Sequence, residues 1–177
     1  MKTNPALLLL AAFAFFPHRS SADPLKVGDP APAVTGVTDT GTQLNLGDVY
    51  KQQTYTLVYF YPRAGTRGCT AQGCSLRDAY GDLTKQGVAV IGVSTDTVAA
   101  QAKFKADQNF PFTLIADPDE TVIKAFGVPT RKIPAIGTIA ERQAYLIKDG
   151  KIVWADYKAS TSKQAEDVER VLAAQKS

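Results

Sequence analysis

One stretch, Thr56 to Gly81 (TLVYFYPRAGTRGCTAQGCSLRDAYG), constrains the fold of this chain more than any other. Tyr55 to Tyr61 is apolar or aromatic on both faces, which fits a central strand buried on both sides. Pro62 ends it. From Cys69 to Gln86, apolar positions recur near helical spacing (Cys69, Leu76, Tyr80, Leu83), interrupted by Gly73 and Gly81; Gly87 supplies a helix stop. The stretch therefore predicts a buried strand, a Pro-led loop and a helix whose first turn carries Cys69. Cys74 lies five residues further on, and the chain has 2 cysteines in all.

The remaining elements follow in order. Residues 23–33 read as an extended arm, with short strands at Ala33 to Val37 and Thr42 to Leu46 around the turn Asp39-Thr40-Gly41. Gly47 to Tyr50 is a short helix or a loop. Val88 to Val93 is a second continuous apolar strand. Thr95-Asp96 is expected to cap a helix running to about Asn109. Phe112 to Ala116 is a further strand, and a helix near Glu120 to Phe126 is closed by Gly127. Pro129 to Glu141, with two prolines, reads as a loop. Gln143 to Lys148 and Lys151 to Asp156 flank Asp149-Gly150, a strong hairpin signal. Ser162 to Lys176 is an amphipathic helix with Ala165, Val168, Val171 and Leu172 on one face. This order predicts an α/β chain with a thioredoxin-like fold: a mixed central sheet, helices on both faces and N-terminal strand additions.

The 177 residues suffice for one domain with a real core and not for two ordinary ones. Residues 1–22 have the pattern of a signal peptide: Lys2, the apolar run Leu7 to Phe16, then Ser20-Ser21-Ala22. This bracketing favours a signal segment over a buried N-terminal helix. Ten apolar residues span only about 15 Å as helix, roughly half of a hydrocarbon core, which is too short for a membrane span. Residues 23–177 are then expected to be the single mature domain, an exported one, with the bacterial periplasm as its expected destination. Its charge, 18 basic against 17 acidic residues, leaves no electrostatic footprint for nucleic acid. His18 leaves with the signal, so the mature chain has no histidine for metal ligation or general base work.

A thiol attacks only as thiolate. With a pKa of about 8.5, roughly 3% is ionised at about pH 7; a pKa of about 6 makes that roughly 90%, a difference of about 3.4 kcal/mol. Two sources of stabilisation are legible. One is the helix N-terminus at Cys69; the other is nearby cations, with Arg63 and Arg67 local and Arg142 a candidate from the hairpin. Thr66 is either a helix N-cap or a hydroxyl that orients the thiolate and a bound oxygen, and the two roles are compatible. On an intact helix, residues five apart have Cα atoms roughly 8.6 Å apart, beyond the limit of about 7 Å for a disulfide. Either the segment is not helical or the bond forms when the helix unwinds, which Gly68 and Gly73 make easier. A permanent structural disulfide, common in exported proteins, is the other reading.

Pro62-x-x-x-Thr66-x-x-Cys69 resembles the active-site motif of the peroxiredoxins. Cys74 five residues on resembles the Q-type, or bacterioferritin-comigratory, thiol peroxidases of the AhpC/TSA superfamily. Val58-Tyr59-Phe60-Tyr61-Pro62, Arg77-Asp78, Gly92-Val93-Ser94-x-Asp96, Phe112-x-Leu114-Ile115-x-Asp117, Phe126-Gly127-Val128 and Arg142-x-x-Tyr145-Leu146-Ile147 follow in that family's order, over roughly residues 25–175. The resemblance implies that Cys69 is the peroxidatic cysteine, which attacks the peroxide O–O bond and becomes a sulfenic acid. It implies that Cys74 is the resolving cysteine, forming an intramolecular disulfide with Cys69. Thr66 and Arg142 match the residues that stabilise thiolate and transition state, and Pro62 the proline that shields the sulfur from water. Two departures stand out: Arg67 where Q-type members often have Pro, and the segment Pro129 to Glu141, which either shapes the entrance to the site or merely connects.

The reaction so implied reduces hydrogen peroxide or organic hydroperoxides, needs no metal, haem or flavin, and is reset by a thioredoxin-like dithiol. An internal cysteine pair requires no partner chain, so a monomer is expected. The rivals are weaker on sequence. An exported thiol-disulfide oxidoreductase normally carries Cys-x-x-Cys, not Cys-x4-Cys. A copper-binding module would want a histidine. A glutathione peroxidase relative would place Gln and Trp in the site, whereas Trp154 lies on the hairpin. A redox-inert module with a structural disulfide would have no use for Thr66 and Arg142.

Overall fold

The computed structural model describes residues 23–175; the expected signal segment, residues 1–22, lies outside the described residues. The elements are β1 (Thr35–Thr38), β2 (Gln43–Asn45), α1 (Leu46–Gln52), β3 (Tyr55–Phe60), α2 (Arg67–Asp78), α3 (Tyr80–Lys85) and β4 (Val88–Ser94). They continue with α4 (Val98–Gln108), β5 (Thr113–Ala116), α5 (Thr121–Ala125), β6 (Thr130–Ile133), β7 (Gly137–Ala140), β8 (Gln143–Lys148), β9 (Lys151–Asp156) and α6 (Gln164–Ala174).

Seven strands form one sheet in the order β2-β1-β5-β4-β3-β8-β9. The β3–β4 and β4–β5 pairs are parallel, and β8 runs antiparallel to β3, so the sheet is mixed. Every residue of β3 is buried, as its continuous apolar run demands. Strand alternation divides that run between two cores. Leu57 and Tyr59 face Leu76, Leu83, Phe104, Val168 and Leu172, contributed by α2, α3, α4 and α6. Val58 and Phe60 face Leu46, Tyr50, Val122 and Ile123, contributed by α1 and α5. Helices thus cover both faces, and the N-terminal strands β1 and β2 extend the edge beyond β5. The arm before β1 lies along the opposite edge, where Gly28 N–H donates to the Ile152 carbonyl at 2.8 Å. Asp149 and Gly150 both take positive φ, 50° and 70°, as a tight primed turn between β8 and β9 requires.

Three expectations are corrected. The segment Pro129 to Glu141 is not a plain loop: β6 and β7 pair antiparallel as a separate two-stranded sheet, in register from Thr130 with Ala140 to Ile133 with Gly137. The helix after Cys69 breaks at Ala79 (φ −92°, ψ 0°), not at a glycine. The cap of α4 is Thr97, whose hydroxyl accepts the Ala100 N–H at 3.3 Å, while Asp96 is engaged elsewhere. Among the described residues no helix is long and apolar enough to cross a membrane.

Candidate active site

The loop between β3 and α2 carries the motif, and a buried polar chain fixes it. Asp96 Oδ2, beyond the end of β4, accepts the Ala64 N–H at 2.7 Å and the Ser94 hydroxyl at 2.7 Å. Gln101 Nε2 donates to Ser94 Oγ at 2.8 Å, and Gln101 Oε1 accepts the Tyr61 hydroxyl. The loop is thereby tied to β4 and α4 at its middle. Gly65, at φ +75°, makes the turn into the helix. Burial pushes the Tyr61 phenol well up, against the pull of its bonds to Ser94 and Gln101, so it stays neutral.

Thr66 occupies the N-cap of α2, but its hydroxyl makes no capping bond; it donates to the Arg63 carbonyl at 3.0 Å. Cys69 is the third residue of the helix, within the first turn, whose N–H groups have no intrahelical acceptor. Its side chain is only 1% exposed. Arg142, between β7 and β8, donates from Nη2 to Cys69 Sγ at 3.4 Å, and from Nη1 to Gln72 Oε1. Gln72 is fully buried and passes the chain on, its Nε2 donating to Gln164 Oε1 at 2.8 Å. Gly68 leaves room for this arrangement: a Cβ there would stand 3.3 Å from Arg142 Nη2.

Of the three cations expected near the sulfur, Arg142 is the one in contact. Arg63 instead donates to the Ile136 carbonyl at 3.4 Å, at the tip of the β6–β7 hairpin, and Arg67 is an exposed first residue of α2. Pro62 is half-buried and lines, with Arg63, Asp96 and Ile136, a cavity of about 350 Å3 beside the loop; Cys69 is not on its wall. Ile136 to Ile139 of the hairpin line this same cavity. Gln72 and Gln164 were not anticipated. The signal for Gln72 was present, since it is a polar residue three after Cys69, on the face that α2 buries.

Both cysteines are free thiols on one unbroken helix. They sit apart: Cys69 beneath Arg142, and Cys74, half-buried, donating to Gln108 Oε1 across 3.6 Å. The intact helix supports the reading in which the sulfurs meet only on unwinding.

Fold and site together define a thioredoxin-fold thiol enzyme, with a sulfur at a helix start and a guanidinium against it. Comparison with known proteins agrees. The chain is 43% identical over 143 residues to peroxiredoxin Bcp of Escherichia coli, covering 78% of this chain and 90% of that one. It superposes on peroxidoxin BcpB of Mycobacterium tuberculosis with a TM-score of 0.79 and 29% identity, covering 86% and 99% of the two chains. It also superposes on the bacterioferritin comigratory protein of Xanthomonas campestris, an enzyme with alkyl peroxide reduction activity, with a TM-score of 0.74 and 27% identity over 86% and 100%. The AhpC/TSA family profile matches residues 27–155, and the chain belongs to that family, among its peroxiredoxins of the bacterioferritin-comigratory type.

Proposed function

We propose that this protein is an exported, monomeric thiol peroxidase in which Cys69 attacks peroxide and Cys74 captures the product. The observation that carries the reading is Arg142 Nη2 at 3.4 Å from Cys69 Sγ, in the first turn of an intact helix. A cation and unpaired helix N–H groups favour an anionic sulfur there. The thiolate attacks the outer peroxide oxygen. An S–O bond forms, the O–O bond breaks, and the departing oxygen takes up a proton to leave as alcohol or water. Arg142 faces the charge as it moves from sulfur to the leaving oxygen. Thr66, held on the Arg63 carbonyl, keeps oxygen lone pairs free to orient the peroxide. Pro62 and the β6–β7 hairpin border the approach.

Cys69 is left as a sulfenic acid. Cys74 then attacks its sulfur: an S–S bond forms, the S–O bond breaks and water leaves. A thioredoxin-like dithiol supplies two electrons by exchange and restores both thiols. The relatives support a peroxide substrate and a thiol reductant; organic hydroperoxides and hydrogen peroxide both suit the proposed step. Residues 1–22 direct export to the periplasm, where such a donor would be another exported thiol protein.

The test is turnover by the mature chain, residues 23–177, prepared from the periplasm after expression with its own N-terminus. Supplied with a thioredoxin-type dithiol, it is expected to consume hydrogen peroxide and an alkyl hydroperoxide over many cycles. Reduction of protein disulfides without peroxide consumption would make it an exchange catalyst instead.

A further inference from the structure

The middle of α2 is tied to the turn between α4 and β5 by three contacts. Cys74 Sγ donates to Gln108 Oε1 across 3.6 Å. Arg77 Nη1 donates to the Gln108 carbonyl at 2.8 Å. Between Cys74 and the sulfur-bearing first turn, Gly73 lies against the Phe110 ring, so closely that a Cβ would stand 2.3 Å from Phe110 Cζ. The turn itself is firmly built. Asn109 closes α4 in the left-handed region at φ 53°, and Phe110 N–H donates to the Lys105 carbonyl at 3.0 Å. The Phe110 ring is buried against Phe104 and Phe112, with centroids 5.0 Å and 5.1 Å away.

These contacts grip the part of α2 that must come undone before the sulfurs can meet, since helical geometry holds residues five apart roughly 8.6 Å from each other. We infer that Gln108 is a positioning residue for the resolving step. Its side-chain oxygen, backed by Phe110 over Gly73, latches Cys74 to the α4–β5 turn and sets the rate of disulfide formation. The inference rests on the two-cysteine reading above. In that step the Cys74 sulfur bonds to the Cys69 sulfur, the Cys69 S–O bond breaks, and the hydroxyl leaves as water with the Cys74 proton. No other oxidant takes part. While the latch is closed the sulfenic acid waits, and a second peroxide can convert it to sulfinic acid. Release of the latch therefore decides how much enzyme is lost at high peroxide.

The test compares wild type with Gln108→Ala and Gln108→Glu. Each reduced protein is mixed with hydrogen peroxide, or separately with diamide, then quenched, alkylated and weighed to count sulfenic acid, disulfide and sulfinic acid. Gln108→Ala is expected to form the sulfenic acid at the wild-type rate. Its disulfide should form about threefold to tenfold faster, the equivalent of one modest hydrogen bond, and sulfinic acid at excess peroxide should fall in step. Gln108→Glu, whose carboxylate accepts the thiol hydrogen more strongly, is expected to move both quantities the other way. General loosening of the fold would shift both variants in the same direction. That result, or disulfide rates equal in all three proteins, overturns the latch. Failure of the peroxidase reading looks different: no sulfenic acid forms with peroxide in any of the three, while the diamide reaction still ranks or fails to rank them.

Discussion

Arg142 divides its two terminal nitrogens between Cys69 and Gln72, so one planar cation is both aimed and held. A lysine carries its three donors on one nitrogen at the end of a flexible stem and cannot hold both partners in this fixed geometry. Arg142→Lys is expected to lose one charge-assisted hydrogen bond at the sulfur, about 2 kcal/mol, or roughly a 30-fold lower second-order rate with peroxide. Stopped-flow measurement of the first oxidation reads this directly; an unchanged rate would place Arg142 outside the chemistry. Cys69, Thr66, Pro62 and Cys74 were legible because they share one short loop and helix. Arg142 reads as one candidate cation among three and matches the family pattern, but its contact with a sulfur 73 residues away is set by the tertiary fold. Gln164, 92 residues from Gln72, and Gln108, 34 from Cys74, were not legible at all. Nothing in a local pattern tells which distant amide will meet a given side chain.

Among the elements, α2 shows how one glycine can have two reasons. Gly73 looked like a device that makes unwinding easier, which its propensity supports. The structure gives a second reason for it, the Phe110 ring lodged where a Cβ would be. Phe110 is itself held by Phe104 and Phe112 and has little room to yield. Gly73→Ala gains about 1 kcal/mol of helix propensity and incurs about 1–3 kcal/mol of overpacking, so overpacking prevails. The urea midpoint is expected to fall; a raised midpoint would mean that Phe110 moves aside. The β3, β4 and β5 strands and the Asp149-Gly150 hairpin were readable because their apolar runs and turn chemistry are local signals. The β6–β7 pair was not, because TRKI and GTIA are four residues each, carry little alternation and are separated by Pro134. The cap of α4 was misplaced by one step because the Asp96 carboxylate is committed to Ala64, 32 residues earlier.

For the molecule as a whole, the two cores on either side of one sheet bury Tyr50, Tyr59, Tyr61 and Tyr145. Burial raises all four phenols above their ordinary value of 10.0; for Tyr59, neighbouring Tyr61 and the two cysteines add to the effect. The sign follows from linkage. Above pH 10 the unfolded chain loses phenolic protons that the folded chain keeps, so this stability is fully present below about 10 and falls as pH rises. Each such tyrosine weakens the fold by up to about 1.4 kcal/mol per pH unit in that range. Urea midpoints are expected to drop steeply above pH 10, with the phenolate absorbance of these four appearing only on unfolding. Phenolate absorbance from them in the folded protein near pH 10 would contradict the burial. The division of labour between the cysteines is tested most simply by a single turnover of the reduced Cys74→Ser protein with hydrogen peroxide. The expected result is rapid consumption of one equivalent, ending in a sulfenic acid trapped on Cys69, with Cys69→Ser inert alongside. Equal, slow reaction of wild type and both variants would show that Cys69 is not the attacking sulfur.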